Sequence, residues 1–244
     1  MLPISFQNVS HRYDSADILK NITADIPANA ITAVIGRSGS GKSTLLKCVN
    51  GMVHPTAGHV SVFDAPMNYG DLPQLRRKIG YAVQGTGLFP HMTVRENIAL
   101  LGRVTKMSSK NMTARVEHLM RLVSLDEFYI NKYPHDLSGG EQQRVGLCRA
   151  MLLNPPIFLL DEPFGALDPA TRSEIHTELL KLQAAEPRTI FFVTHDMQEA
   201  LSLADNIMVL DHGEMIQFGA KSELLSNPAS DLVRSYIKQD GLHE

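Results

Sequence analysis

The sequence predicts an α/β fold: a largely parallel, helix-covered sheet, an N-terminal antiparallel β portion and an inserted helical lobe. Three observations carry this expectation. Residues 30–35 form a continuous apolar run that fits a strand buried on both faces, 157–160 read as a buried strand and 189–193 as a strand. Helical patterns separate them, and strands alternating with helices imply parallel crossovers. Between residues 93 and 137 strand signals stop, and apolar residues recur at helical spacing instead.

In order along the chain, residues 4–13 and 21–26 alternate in polarity and read as strands with one wet face. Residues 30–35 form the first buried strand, 36–41 a loop, and 42–49 the start of a helix. Residues 60–63 and 79–83 read as further strands. The lobe follows, with Val94, Ile98 and Leu101 on one helical face and Val116, Leu119, Met120 and Val123 on another. Residues 138–153 read as a helix stopped by Asn154-Pro155-Pro156. After the strand at 157–160, Asp168 and Pro169 open another helix as N-cap and first helical residue. A strand at 189–193, a helix at 196–203 and a strand at 207–210 come next. Gly213 turns a hairpin into 215–218, and two short helices close the chain. The expected organisation is one domain, 1–244, with its core in 1–92 and 138–244 and its lobe in 93–137.

Composition narrows the class. With 43% hydrophobic and 20% charged residues the chain is an ordinary globular protein, and a net charge of −3 offers no basic field for nucleic acid. Cys48 and Cys148 each lie in a helical pattern, which suggests reduced core thiols in a cytosolic protein rather than a disulfide framework. The first residues lack the basic flank and apolar run of a signal peptide. No apolar stretch is long enough to span a bilayer, so any membrane role is expected to come through a partner. The ten histidines show no metal-ligand spacing, and no zinc site is expected.

Gly36-Arg37-Ser38-Gly39-Ser40-Gly41-Lys42-Ser43 matches the P-loop pattern in its strand–loop–helix context, so the core reads as that of a P-loop NTPase. Its glycines let backbone N–H groups turn around a phosphate, and the following helix points its N-terminus at the same anion. Lys42 reaches phosphate oxygens, Ser43 offers a hydroxyl to Mg²⁺, and Thr44 offers one to the phosphates. Asp161 and Glu162 follow an apolar run, at the carboxyl end of a strand where ligands of such sheets bind. Asp161 suits Mg²⁺ through its water shell, and Glu162 suits polarising a water; a turn or a helix cap is the plainer use of such a pair.

Ser138-Gly139-Gly140-Glu141 reads first as a capping box. Capping leaves two glycines in a first turn unexplained, each costing roughly 1 kcal/mol against alanine. Bare backbone there admits a phosphate to the helix N-terminus. Because the P-loop already supplies one cradle, the second turn is expected to serve another nucleotide, across a head-to-tail pair of chains.

With these residues the chain resembles the ATP-binding-cassette ATPases over nearly its whole length. The family's parts occur in its order: the P-loop, a glutamine-loop residue at Gln84, the signature Leu137-Ser138-Gly139-Gly140-Glu141, the acid pair, an Ala166-Leu167-Asp168 loop and a switch histidine at His195. Glu141 departs from the commoner glutamine. The resemblance implies ATP and Mg²⁺ as ligands, with Ser43, Gln84 and Asp161 around the metal. It implies that His195 contacts the γ-phosphate and holds Glu162 and the water, that Tyr13 stacks on adenine, and that Asp168 lies at a dimer seam. Each has a bland alternative: a helix-start histidine, a solvated glutamine, a strand-edge tyrosine, a helix cap. The apolar segment Gly87-Leu88-Phe89-Pro90-His91-Met92 lies where similar proteins receive a membrane subunit, or else is buried under the lobe.

The wording of residues 87–93, 133–140, 154–156 and 162–168 resembles importer subunits for glycine betaine, choline and related osmoprotectants. The resemblance therefore implies a homodimeric ATPase on the cytoplasmic face of the inner membrane. Its partners are membrane permease subunits and an external substrate-binding protein, with no nucleic acid. Other ABC systems, for amino acids, oxyanions or lipids, and a non-transport ABC ATPase stay open. A P-loop kinase is the third class, though it has no use for the signature. Few residues follow Phe218, so appended regulatory domains are not expected.

Overall fold

β1 (Ile4–Tyr13) and β2 (Ala16–Ile26) pair antiparallel around a turn in which Asp14 takes φ 50°. In the computed structural model of the chain, residues 1–85 and 87–239 are described. β2 begins earlier than the expected residue 21. Its first residues are exposed and held by pairing, since Arg12 lies opposite Asp17 with their side chains meeting at 2.7 Å, and burial begins at Leu19. β3 (Ile31–Ile35) is buried at every position and leads into α1 (Lys42–Val49). β4 (Ala57–Val62) pairs with β1 and with the short β5 (Ala65–Pro66), and α2 (Leu72–Arg76) follows. β4 stops at Val62 because Phe63 and Asp64 both turn to positive φ. The sequence patterns gave no sign of β5 or α2, which are too short to show a period.

The chain continues through β6 (Ile79–Ala82), α3 (Val94–Val104), α4 (Ser109–Leu122), two 3₁₀ turns (Glu127–Asn131 and Pro134–Asp136), α5 (Gly139–Met151), β7 (Ile157–Asp161) and α6 (Pro169–Ala185). It closes with β8 (Thr189–Val193), α7 (Met197–Leu203), β9 (Asn206–Asp211), β10 (Glu214–Ala220), α8 (Lys221–Ser226) and α9 (Asp231–Gln239).

Two compact units organise these elements. The first comprises Met1–Arg76 and the chain from Arg188 onward. It holds the antiparallel sheet β2-β1-β4-β5 and a second sheet in which β3 lies between β8 and β9, parallel to both, with β10 antiparallel to β9. Ile31–Ile35 and Thr189–Val193 are buried throughout, as continuous apolar runs on a helix-covered parallel sheet should be. Gly213, at φ 83°, turns the β9–β10 hairpin as expected.

The second unit, Arg77–Pro187, pairs β6 and β7 in parallel and carries α3 to α6. Val94, Ile98, Val116, Leu119, Met120 and Val123 are all essentially buried, so these positions of the helical periods point into a core, whereas Leu101 is only half-buried. Cys48 and Cys148 are buried free thiols, with burial pushing the Cys48 thiol up to about 12 and the Cys148 thiol higher still. Among the described residues, no helix is long and apolar enough to cross a membrane.

Candidate functional site

The first unit presents the glycine loop. β3 ends at Ile35, and residues 36–41 swing over to α1, whose N-cap is Gly41 at φ 100° with no side-chain cap. A Cβ at Gly41 would lie 2.6 Å from the Ile18 carbonyl oxygen, so both the turn and the packing demand glycine there. The α1 N-terminus therefore meets the loop through bare backbone, the arrangement that draws an anion. Lys42 is only 6% exposed, and its Nζ donates to the Gly36 and Arg37 carbonyls at 2.8 Å each. The ammonium is thus folded across the mouth of the loop. Ser40 is buried, with its backbone bonded to Arg37 and Gly213, whereas Arg37, Ser38 and Gly39 are exposed. Ser43 and Thr44, in the first turn of α1, are half-buried.

Tyr13 closes β1 with its ring 49% exposed. Residues two apart on a strand share a face, and His11 meets the Tyr13 ring edge-on, with centroids 4.5 Å apart and planes at 82°. His11 is itself buried, and its Nδ1 lies 3.0 Å from the His54 carbonyl oxygen. A carbonyl only accepts, so Nδ1 carries a proton and the imidazole is fixed behind the tyrosine.

His195 is exposed directly after the buried end of β8. Its corner is rigid. The Thr194 hydroxyl donates to Glu199 Oε2 at 2.6 Å and accepts from the Asp196 amide at 3.0 Å, while Asp196 caps α7 through the Gln198 and Glu199 amides. On α9, Tyr236 is a neighbour that sequence reasoning missed. Burial, with the Asp211 charge beside it, pushes its phenol up, and Arg37 of the glycine loop opposes the shift.

The second unit holds the remaining candidates. Asp161 ends β7 at 1% exposure. Across β6, burial and then the Asp161 charge push the Tyr81 phenol up to about 12. Glu162 follows with φ 48°, an uncommon conformation for a residue with a side chain. Asp168 caps α6 by accepting from the Thr171 amide at 3.0 Å, which holds its carboxyl below the usual range. Ser138 and Glu141 form the expected capping box: the Ser138 amide donates to Glu141 Oε2 at 2.7 Å, and the Glu141 amide to Ser138 Oγ at 3.3 Å. Burial pushes the Glu141 carboxyl up, but hydrogen bonds from Tyr129 and Ser138 outweigh it and hold it low. Glutamate in place of glutamine thus has a local structural use.

The two signature glycines divide. At Gly139 the nearest atom to an added Cβ is the Ala166 methyl at 4.0 Å, so that face is open; at Gly140 an added Cβ would stand 3.2 Å from the Ala166 carbonyl oxygen. Packing against Ala166 thus gives Gly140 a reason to be glycine that Gly139 lacks.

Gln84 is exposed beyond β6. In the segment after it, Leu88 and Met92 are half-buried, and Gly87, Phe89, Pro90 and His91 are exposed. Asn97, fully buried on α3, clamps that segment by accepting from the Phe89 amide at 2.8 Å and donating to the Phe89, Met92 and Thr93 carbonyls. Arg149 donates to the Gly87 carbonyl at 2.8 Å, and its guanidinium lies 5.9 Å from the Phe89 ring centroid.

The candidate metal donors are a serine hydroxyl in the first unit, and a carboxylate and a side-chain amide oxygen in the second. Such hard oxygen donors suit Mg²⁺, which keeps waters and phosphate oxygens as its other ligands. No cluster of three or more His, Cys, Asp or Glu residues that could hold a metal occurs among the described residues.

The family described as ABC transporter matches residues 19–165. The choline transport ATP-binding protein OpuBA of Bacillus subtilis is 42% identical over 98% of this chain and 63% of its own length. The glycine betaine/carnitine/choline transport ATP-binding protein OpuCA of the same organism is 43% identical over 92% of this chain and 59% of its own. This chain belongs to the ABC transporter family. It therefore spans less than two thirds of those two relatives. Among solved structures, a dimeric post-hydrolysis state of the ATP-binding cassette MJ0796, bound to ADP and Pi, is 33% identical. It superposes with a TM-score of 0.83, covering 89% of this chain and 98% of that one. The α/β fold expected from sequence is thus that of an ABC cassette. His11, Tyr236 and Asn97 are what the motifs did not reveal. His11 alone left a trace, its spacing of two from Tyr13 on a strand.

Proposed function

We propose that this chain is the ATP-hydrolysing subunit of an ABC importer, working as a homodimer that sandwiches two ATP molecules. The observation that carries this reading is the presence of two separate anion-facing backbone turns. One is the loop Gly36 to Ser43 crossed by Lys42. The other is the capped but open-faced helix start at Ser138 and Gly139. One phosphate chain needs one cradle, so the second is read as completing the site of a partner chain. The dimeric cassette bound to ADP and Pi supports that arrangement.

In this reading Tyr13 stacks on adenine. The amides of Gly36, Arg37, Ser38, Gly39, Ser40 and Gly41 enclose the β-phosphate, Lys42 leaves its loop carbonyls for the β- and γ-oxygens, and Thr44 adds a hydroxyl. Ser43, Gln84 and Asp161 hold Mg²⁺, which neutralises charge developing on the phosphates. Glu162 polarises the attacking water, His195 contacts the γ-phosphate, and Ser138, Gly139 and Gly140 reach the partner's γ-phosphate beside Asp168. Catalysis is then positioning plus charge stabilisation. ATP drives closure only because it binds the closed pair more tightly than separate chains.

The names of the relatives point to a quaternary amine as the transported solute, with permease subunits and an external binding protein as partners. The clamped, exposed segment after Gln84 is the surface we assign to the permease. Residues 93–137 are read as the inserted helical lobe that follows that segment, and the chain as residing on the cytoplasmic face of the inner membrane. Glu162→Gln tests the core of the proposal. We expect turnover to fall at least about 100-fold, the scale of losing a catalytic acid or base, while ATP holds the chains as a dimer on size-exclusion chromatography. Normal turnover in that variant would remove Glu162 from its role.

A further inference from the structure

Gln143 has no part in the function as described, yet its side chain is fully committed. It lies on α5 at 7% exposure. Its Nε2 donates to the Glu162 carbonyl at 2.8 Å, and its Oε1 accepts from the Ala166 amide at 3.0 Å. A single planar amide therefore satisfies one acceptor and one donor of the segment after β7. Only a residue with both capacities at that reach can do this. The carbonyl it holds belongs to Glu162, whose φ of 48° persists only where surroundings fix it. The Gly165 amide also donates to that carbonyl, at a long 3.4 Å. A second contact runs along the same line: Gly140 on α5 lies so close to the Ala166 carbonyl that a side chain would not fit without displacement.

Resting on the reading that Ser138 engages the partner's nucleotide and Glu162 its own chain's, we propose that Gln143 is a positioning residue coupling the two sites. Its amide ties the helix whose start meets one γ-phosphate to the backbone of the residue that polarises water at the other. Ser138 and Gln143 sit on one helix, so a shift of that helix on γ-phosphate contact is delivered to Glu162 and to the loop before Asp168 through short, charge-free bonds. Arrival of one nucleotide then sets the carboxylate for the other. The hydroxyl and amide contacts at Ser138 do not require Gln143, so binding and orientation are separable.

The test is a comparison of Gln143→Glu, Gln143→Leu and the native chain, with Glu162→Gln as control. Glutamate keeps the shape and the acceptor but loses the donor to Glu162; leucine loses both. We expect kcat to fall about 10- to 100-fold, the cost of misplacing a reacting group by roughly 1 Å. Binding of a non-hydrolysable ATP analogue should stay near native in Gln143→Glu, while its thermal midpoint falls modestly because a buried carbonyl loses a donor. The native chain should show a sigmoidal dependence of rate on ATP that becomes hyperbolic in Gln143→Glu, and Gln143→Leu should add nothing in a Glu162→Gln background. If Glu162→Gln hydrolyses normally, the catalytic reading fails first. If that control behaves, native kcat in Gln143→Glu overturns the inference. So does a parallel loss of affinity and thermal midpoint, which marks a purely structural residue. A native chain with hyperbolic kinetics overturns the coupling between sites.

Discussion

Tyr13 shows how a single residue is prepared by its neighbours. Half of its ring faces solvent at the end of β1, while the His11 imidazole, fixed by the His54 carbonyl, supports it from behind. Aromatic pairs of this geometry add about 0.5–1.5 kcal/mol beyond the area they bury, so the ring's orientation is constrained before any base arrives. Replacing Tyr13 with alanine removes the stacking face and little else. The expected outcome is an ATP KM raised about tenfold with kcat nearly unchanged, measured by steady-state hydrolysis. An unaltered KM would return Tyr13 to the role of a strand-edge residue. Lys42 is held in the opposite manner. Its charge rests on two loop carbonyls, contacts a phosphate can replace without leaving a buried ammonium unpaired.

At the scale of elements, the second unit leans on carboxylate caps. Glu96 completes the box at α3, Glu141 the box at α5, and Asp168 caps α6. All three carboxyls are held below their usual values: Glu96 by the Thr93 backbone and hydroxyl, Asp168 by the Thr171 amide, and Glu141 by Tyr129 and Ser138 against its burial. A depressed folded-state pKa gives stability that is complete above the unfolded value and is lost as pH falls through the folded one. Stability should therefore be flat down to about pH 5 and then decline toward pH 3, followed by urea denaturation at each pH. Asp168→Asn keeps a good N-cap and should flatten part of that decline. An unchanged pH profile in this variant would mean that the Asp168 charge contributes nothing to the start of α6. The Asn97 clamp works at the same scale, because one buried amide, accepting from the Phe89 amide and sharing its two N–H groups among the Phe89, Met92 and Thr93 carbonyls, fixes a segment that has no regular structure of its own.

For the whole molecule, the proposed function requires that a lone chain carry one half of each of two sites. Ser138→Arg places a long cation on the open face beside Gly139 and should block closure by both bulk and geometry. ATP binding to the single chain should survive, since the P-loop is untouched, while hydrolysis falls about 100-fold or more and no ATP-dependent dimer forms. Light scattering and hydrolysis at a series of dilutions would check this. Unchanged activity, or a rate strictly proportional to the concentration of the native chain at high dilution, would contradict a shared site.

The sequence alone determined whatever depends on local pattern. The P-loop, the acid pair after an all-apolar strand, the caps at Ser138 and Asp168 and the helical faces around Ile98 and Leu119 were all legible, because each is a short run whose spacing has one cheap backbone solution. Tertiary structure decided what depends on side chains reaching distant main chain: Gln143 on Glu162 and Ala166, Asn97 on the Phe89 segment, His11 between His54 and Tyr13. It also decided that Gly140 is small for its neighbour's sake while Gly139 faces open space. Glutamine, asparagine and histidine carry no periodic signal. Which buried carbonyl they satisfy is fixed only when folding brings the partners within hydrogen-bonding distance, and an unpaired buried polar group costs too much for the choice to be left open.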